Sequence, residues 1–142
     1  MNPVGRIAVG FDGSPDAEAA VRWAMTLAKQ TEAEVIVVHA VGLLEHAADR
    51  GWTELEEAVT RLTCECANEP AQVRWHVGNG DPCSVLLRAG AEVSVAADLL
   101  VVGSRGHDAH PGMLLGSTGL ELAEHSPVPV VIVPSEKDGR LR

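Results

Sequence analysis

Apolar residues along this chain recur with two periods. Near-continuous apolar runs at Arg6–Phe11 (RIAVGF), Glu34–Val41 (EVIVVHAV), Leu99–Val102 and Val128–Val133 read as strands covered on both faces. Gln72–Val77 alternates polar and apolar instead, which predicts a strand with one wetter face at a sheet edge. Between these runs the spacing becomes helical. Val21, Ala24, Met25 and Ala28 give an inward face to a helix from Pro15 to about Thr31, with Ser14 as N-cap, Pro15 as first helical residue, and Asp16 and Glu18 in the positive first turn. Leu55, Val59 and Leu62 predict a second helix over Thr53–Asn68. Val85, Leu86, Ala89 and Val93 predict a third, started by Pro82 and running to about Ala96, and a short fourth helix follows Gly116. Gly42–Trp52 reads as loop, Gly78–Pro82 as a turn, and the polar tail from Pro134 to Arg142 as frayed.

Five strands alternating with four helices specify an α/β fold: one open parallel sheet, doubly wound, with right-handed crossovers. The 142 residues suit one domain over 1–142, with a core over about 6–133 and a tail over 134–142. Hydrophobic residues make up 46% of the chain and aromatics 3%, so the core must be built from Val, Leu, Ile and Ala. Eleven Lys and Arg against 20 Asp and Glu give a formal charge of −9, which argues against nucleic acid or an anionic membrane as partner. It also means that an anionic ligand must be held by local donors. No apolar run reaches the ~20 residues of a membrane helix, and MNPVGR leads straight into a strand, so a cytoplasmic protein is expected. Cys64 and Cys66 are two apart on a helix and point in different directions, so with Cys83 they read as reduced thiols rather than metal ligands.

The stretch Asp98–Thr118 carries the candidate chemistry. A buried strand ends at Gly103, and the spacing is then two residues to Gly106 and nine to Gly116, followed by Ser117 and Thr118 at a helix start. Glycines let the backbone approach a ligand, and a helix start offers unpaired N–H groups with partial positive charge: together, a phosphate cradle. Neither GxxxxGK[ST] nor GxGxxG is present. The order of strand, GxxG, nine residues, Gly-Ser, short helix and the Pro-flanked strand Pro127–Val133 resembles the universal stress protein family, in its ATP-binding branch, from Arg6 to Val133.

That resemblance implies a Rossmann-like strand order of 3-2-1-4-5, with the chain reversing between the first and fourth strands. Ligands bind in the crevice at such a switch point, here flanked by Asp12 and Gly103. It further implies ATP as ligand, with Mg or Mn carried by the phosphates, an aspartate against the nucleotide at Asp12, adenine contacts at Ala40, and a homodimer through the edge strand Val128–Val133. Apolar and uncharged, that edge is an aggregation hazard unless covered.

Gly103, Gly106, Gly116, Ser117 and Thr118 are the expected phosphate donors. Arg105 has two readings, an added cation or a solvated side chain. Pro111 is unexpected in the glycine loop, and members of the family often carry valine where Thr118 stands. His107, Asp108 and His110 read as solvated loop residues rather than a metal site, since no fourth protein ligand is identifiable. His39 reads as a core histidine, and His125 sits favourably at a helix C-terminus. No nucleophile–base pair can be assembled and the glycine stretch has no lysine, so at most slow ATP hydrolysis is expected. The leading expectation is an ATP-binding regulatory protein of the stress response, in which nucleotide orders the Ser104–Leu115 loop. The alternatives are a slow ATPase or nucleotidyl-transfer enzyme in the same pocket, and a nucleotide-free dimeric interaction module.

Overall fold

The computed structural model describes residues 4–41, 57–58, 60–61, 72–91, 96–105 and 116–134. Its elements in chain order are β1 (Arg6–Gly10), α1 (Pro15–Thr31), β2 (Glu34–Val41), β3 (Val73–Asn79), α2 (Pro82–Ala91), β4 (Leu99–Gly103), α3 (Ser117–His125) and β5 (Val130–Val133). The strands form one parallel sheet in the order β3-β2-β1-β4-β5, as expected from the sequence. Of the helix expected over Thr53–Asn68, residues 57, 58, 60 and 61 are described and helical, while Cys64 and Cys66 lie outside the described residues.

Strand parity builds the core. Successive side chains point to opposite faces, so Ile7, Val9, Val35, Val37, Leu99 and Val101 meet α1 on one face. Ala8, Ile36, Val38, Leu100 and Val102 meet α2 and Leu122 of α3 on the other. The middle residues of the central strands are therefore apolar on both faces, and polar residues such as Arg6, Glu34 and His39 fall toward the strand ends. α1 turns Ala20, Val21, Ala24, Met25 and Ala28 into the first of these layers, at the spacing the sequence predicts. Cys83, buried in the second layer, has its thiol pushed up to about 11 by burial first and then by the negative charge and hydrogen bond of Glu121. It is an unreactive core thiol.

At the end of the sheet away from the helix starts, one carboxylate latches β1 to β4. Asp98 Oδ2 accepts the N–H groups of Gly5 at 2.9 Å and Arg6 at 3.0 Å. Nearby, Glu34 accepts from Arg74 Nε at 3.0 Å and lies 3.8 Å from Arg6 Nε, a part-exposed ion pair worth about 0–1 kcal/mol.

Three boundaries differ from expectation. The helix expected to reach Ala96 has ended by then: Ala96 has φ 42° and the Ala97 N–H returns to the Ala89 carbonyl at 3.2 Å. Gly78 and Asn79, expected in a turn, extend β3 by pairing with Ala40 and Val41. β5 begins at Val130 rather than Val128, because Ser126 Oγ takes the Val128 N–H and donates to the Val128 carbonyl at 2.6 Å. Both ladder groups of Val128 are used in that local turn.

Candidate functional site

At the carboxyl ends of β1, β2 and β4, where the chain reverses direction, lies a cleft of about 250 Å³. It is assembled from four short segments, each placed by a strand end or a helix start.

The first is the turn after β1. The Phe11 N–H donates to the Val38 carbonyl at 2.9 Å, carrying the pairing one residue past the strand. Asp12 then accepts the Ser14 N–H on Oδ1 at 2.9 Å, Gly13 takes φ 84°, and Ser14 Oγ accepts the Ala17 N–H at 3.2 Å to cap α1. One oxygen of Asp12 thus builds the turn, and the side chain lines the cleft. The turn reading and the cleft reading of Asp12 hold at the same time.

β2 supplies the second segment. Ala40 is half-buried and lines the cleft, as do Val38 and His39. His39, expected in the core, is half-buried and faces this space. Its Nδ1 lies 3.1 Å from the Phe11 carbonyl, an oxygen that can only accept, so Nδ1 carries the proton. The sequence signal was its position one residue before Ala40, where a strand runs out into the crevice.

The end of β4 is the third. A Cβ built on Gly103 would lie 2.6 Å from the Asp16 carbonyl carbon, so only glycine lets the first turn of α1 pack against this strand end. Ser104 is buried and fully engaged: its N–H donates to the Val133 carbonyl at 2.9 Å, its carbonyl accepts the Gly116 N–H at 2.5 Å, and its hydroxyl donates to Asp16 Oδ2 at 2.9 Å. Arg105 donates to the same Oδ2 from its backbone N–H at 3.0 Å and from Nε at 3.4 Å. Its side chain is only 20% exposed, which removes the solvated reading, and it lines the cleft as a cation paired with a buried acid. Asp16, expected only as a first-turn acid, was missed as a site residue because its partners lie 88 and 89 residues away.

The start of α3 is the fourth. Gly116 is its N-cap and has no side chain with which to cap it; the first intrahelical bond is Leu120 N–H to the Gly116 carbonyl, at 3.2 Å. The N–H groups of Ser117, Thr118 and Gly119 belong to the first turn and have no intrahelical acceptor. All three residues line the cleft, and the turn contains no acidic residue.

Gly106 lies outside the described residues, as do His107, Asp108, His110 and Pro111. Among the described residues no cluster of His, Cys, Asp and Glu has metal-holding geometry. Among them, too, the titratable side chains lining the cleft are Asp12, His39 and Arg105. Leu86 and Val102 close the floor, with Pro82 beside them. The α2 contribution was not expected, since its spacing marks only a core face. Among the described residues no helix is long and apolar enough to cross a membrane.

Comparison with known proteins gives a consistent picture. Residues 3–134 match the model of the universal stress protein family. Universal stress protein Rv2623 of Mycobacterium tuberculosis is 33% identical over an alignment covering 92% of this chain and 48% of that protein. The chain thus spans about half the length of the mycobacterial relatives it matches. Universal stress protein YxiE of Bacillus subtilis is 30% identical, with 90% of this chain and 97% of that protein covered. Among solved structures, a universal stress protein in complex with cAMP superposes with a TM-score of 0.73 at 29% identity, covering 94% of this chain and 98% of that one.

Proposed function

We propose that this chain, which belongs to the universal stress protein family, binds an adenine nucleotide in the cleft at the sheet's switch point and acts as a nucleotide-dependent regulatory protein, with ATP as the ligand. The observation that carries this reading is the bare start of α3. Its glycine N-cap, its acid-free first turn and the place of Ser117, Thr118 and Gly119 on the cleft favour an anion, and Arg105 stands on the same cleft. A single helix end gains only about 0.3–1 kcal/mol from an anion at an exposed site. Useful affinity therefore needs Gly116, Ser117, Thr118 and Arg105 to converge on the phosphates.

At the other end, Ala40 and Val38 form an apolar wall suited to a purine, and Asp12 can accept from ribose hydroxyls. Asp12 is also the carboxylate that would complete the shell of a phosphate-bound Mg, a cation that usually takes one or two carboxylates besides phosphates and water. The residues fit that group. The metal would neutralise phosphate charge, which matters because Arg105 is already half-spent on Asp16. With Asp12, His39 and Arg105 as its titratable lining among the described residues, the cleft is built for binding and holding rather than for rapid phosphoryl transfer. The reading includes a homodimer through the outer edge of β5.

A second reading replaces ATP by cAMP, and is favoured by the cAMP complex of a relative 29% identical to this chain. A cyclic monophosphate carries one charge, which suits a cleft whose one arginine among the described residues is paired with Asp16.

The deciding experiment is to denature the purified protein, identify the released nucleotide by chromatography and mass spectrometry, and titrate emptied protein with ATP·Mg and with cAMP. ATP released near one per chain, with tighter binding of ATP·Mg, is the expected result. Tighter binding of cAMP selects the second reading. No released nucleotide and no heat with either ligand overturns both.

A further inference from the structure

We infer that Asp16 is the positioning residue for the phosphate end of the cleft, setting both the start of α3 and Arg105 through a single buried oxygen. The inference rests on the nucleotide reading above for its functional half only.

Asp16 is 5% exposed and sits in the first turn of α1. Three donors converge on its Oδ2: the Ser104 hydroxyl at 2.9 Å, the Arg105 N–H at 3.0 Å and Arg105 Nε at 3.4 Å. Each has a different consequence. The Ser104 bond fixes a residue whose carbonyl holds the Gly116 N–H and whose N–H is held by Val133, so one hydroxyl spaces α3 and β5 against α1. The backbone bond from Arg105 fixes the chain path immediately after β4. The Nε bond fixes the direction in which the guanidinium leaves the backbone.

A buried carboxylate is costly unless it is hydrogen-bonded, and three donors, one of them charged, offset that cost at Oδ2 here. Because the side chain is almost fully enclosed, water cannot replace these donors. Gly103 reinforces the arrangement: with no Cβ, β4 lies against the Asp16 backbone itself, so α1 and β4 are in register to within a side-chain atom. Hydrogen bonds and close packing at one residue thus fix the geometry on which phosphate donors depend. Adenosine, which has no phosphate, depends on the Asp12 and Ala40 end instead.

The variants Asp16→Asn and Asp16→Ala separate charge from placement. Asn retains an oxygen for the neutral donors and loses the charge; Ala loses both. Calorimetry with ATP·Mg and with adenosine is expected to show ATP affinity falling about tenfold in D16N and further in D16A, with adenosine affinity within about twofold of wild type. In Arg105→Ala, adding D16N is expected to cost less than it does in wild type, because part of the effect runs through the arginine. Hydrogen exchange, measured without nucleotide, is expected to show the Ser104 and Gly116 amides exchanging at least tenfold faster in D16A, while the β1 and β2 amides are unchanged. Equal loss of ATP and adenosine affinity in folded D16N, or no loss of either, overturns the positioning role in binding. Unchanged exchange at Ser104 and Gly116 in D16A overturns the structural half, whatever binds. If wild type binds neither ligand, the nucleotide reading fails, and the exchange result alone then supports or overturns the placement of α3 by Asp16.

Discussion

Two helices point their N-termini toward the same cleft, and they are finished in opposite ways. α1 is closed: Ser14 caps it, Pro15 removes one orphan donor, and Asp16 and Glu18 stand in its first turn. α3 is open, with a glycine cap that contributes no side-chain bond and no acid in its first turn. α2, which approaches the cleft from below, is closed again, since Asp81 accepts the Ser84 N–H at 3.0 Å and its hydroxyl at 2.7 Å. A helix start that satisfies its own donors is a structural joint. One that leaves them bare, beside a cleft and an arginine, is poised for something brought from outside.

The contrast can be broken at its strongest point first. Gly103→Ala pushes a methyl into the Asp16 backbone that separates the two helix starts. We expect a loss of about 1–3 kcal/mol in denaturant-measured stability, as for overpacking elsewhere, and a stability no lower than wild type would show that the strand end yields freely. Next, Ser117→Asp would close α3 as α1 is closed. Its effects should have opposite signs: ligand-free protein stabilised by about 0.3–1 kcal/mol and ATP·Mg affinity reduced roughly tenfold or more. A variant that binds ATP as well as wild type would show that the α3 amides are not the phosphate donors.

Opening the closed helix has a smaller effect. Ser14→Ala leaves the Ala17 N–H without its cap and should cost about 1 kcal/mol by thermal or chemical unfolding. The smallest effect concerns pH. The hydrogen bonds from Ser84 hold the Asp81 carboxyl below its ordinary 3.8, so its ionised form is favoured in the folded protein. The stability this adds is fully present above pH 3.8 and is lost as pH falls through the lower, folded value. Asp81→Asn, with a cap that does not titrate, should therefore differ from wild type by a constant amount between pH 5 and 8, and wild type should lose ground to it in acid. Unfolding curves of the two proteins measured side by side down to about pH 2.5 test this, and a difference that stays constant into acid would overturn it.

How much of this was readable beforehand follows from the range of the interactions involved. Strand parity, the Ser14-Pro15 start and the Pro82 start are local patterns, and the structure reproduces them. The sheet order came from the family resemblance and the switch-point rule, and these also select the place where Asp12, Gly103 and Gly116 meet. Asp16 was legible as a first-turn acid and nothing more, because Ser104 and Arg105 reach it only after β4 has been laid beside β1. His39 departs from the core for a related reason: its ring is hydrogen-bonded to the Phe11 carbonyl, but the strand's end opens onto a cleft that an apolar run does not reveal. Gly103 was expected to make room for a ligand, whereas its missing Cβ makes room for α1. The helix and strand boundaries at Ala96 and Val128 moved because single left-handed or hydroxyl-bonded residues decide them, and such choices leave little trace in hydrophobic spacing.

β1 lies between β2 and β4, and its second neighbour is made late. Ile7 pairs with Leu99, and the amides of Gly5 and Arg6 wait for Asp98. As the chain leaves the ribosome, β1, β2 and β3 can associate early, but one edge of the first strand stays open until most of the sequence has been synthesised. The α3 end of the cleft, completed by Ser104 and Gly116, comes later still, ahead only of β5. Any ligand that binds there cannot guide the early steps of folding; it can only retain chains that have already folded, drawing the equilibrium toward the completed sheet.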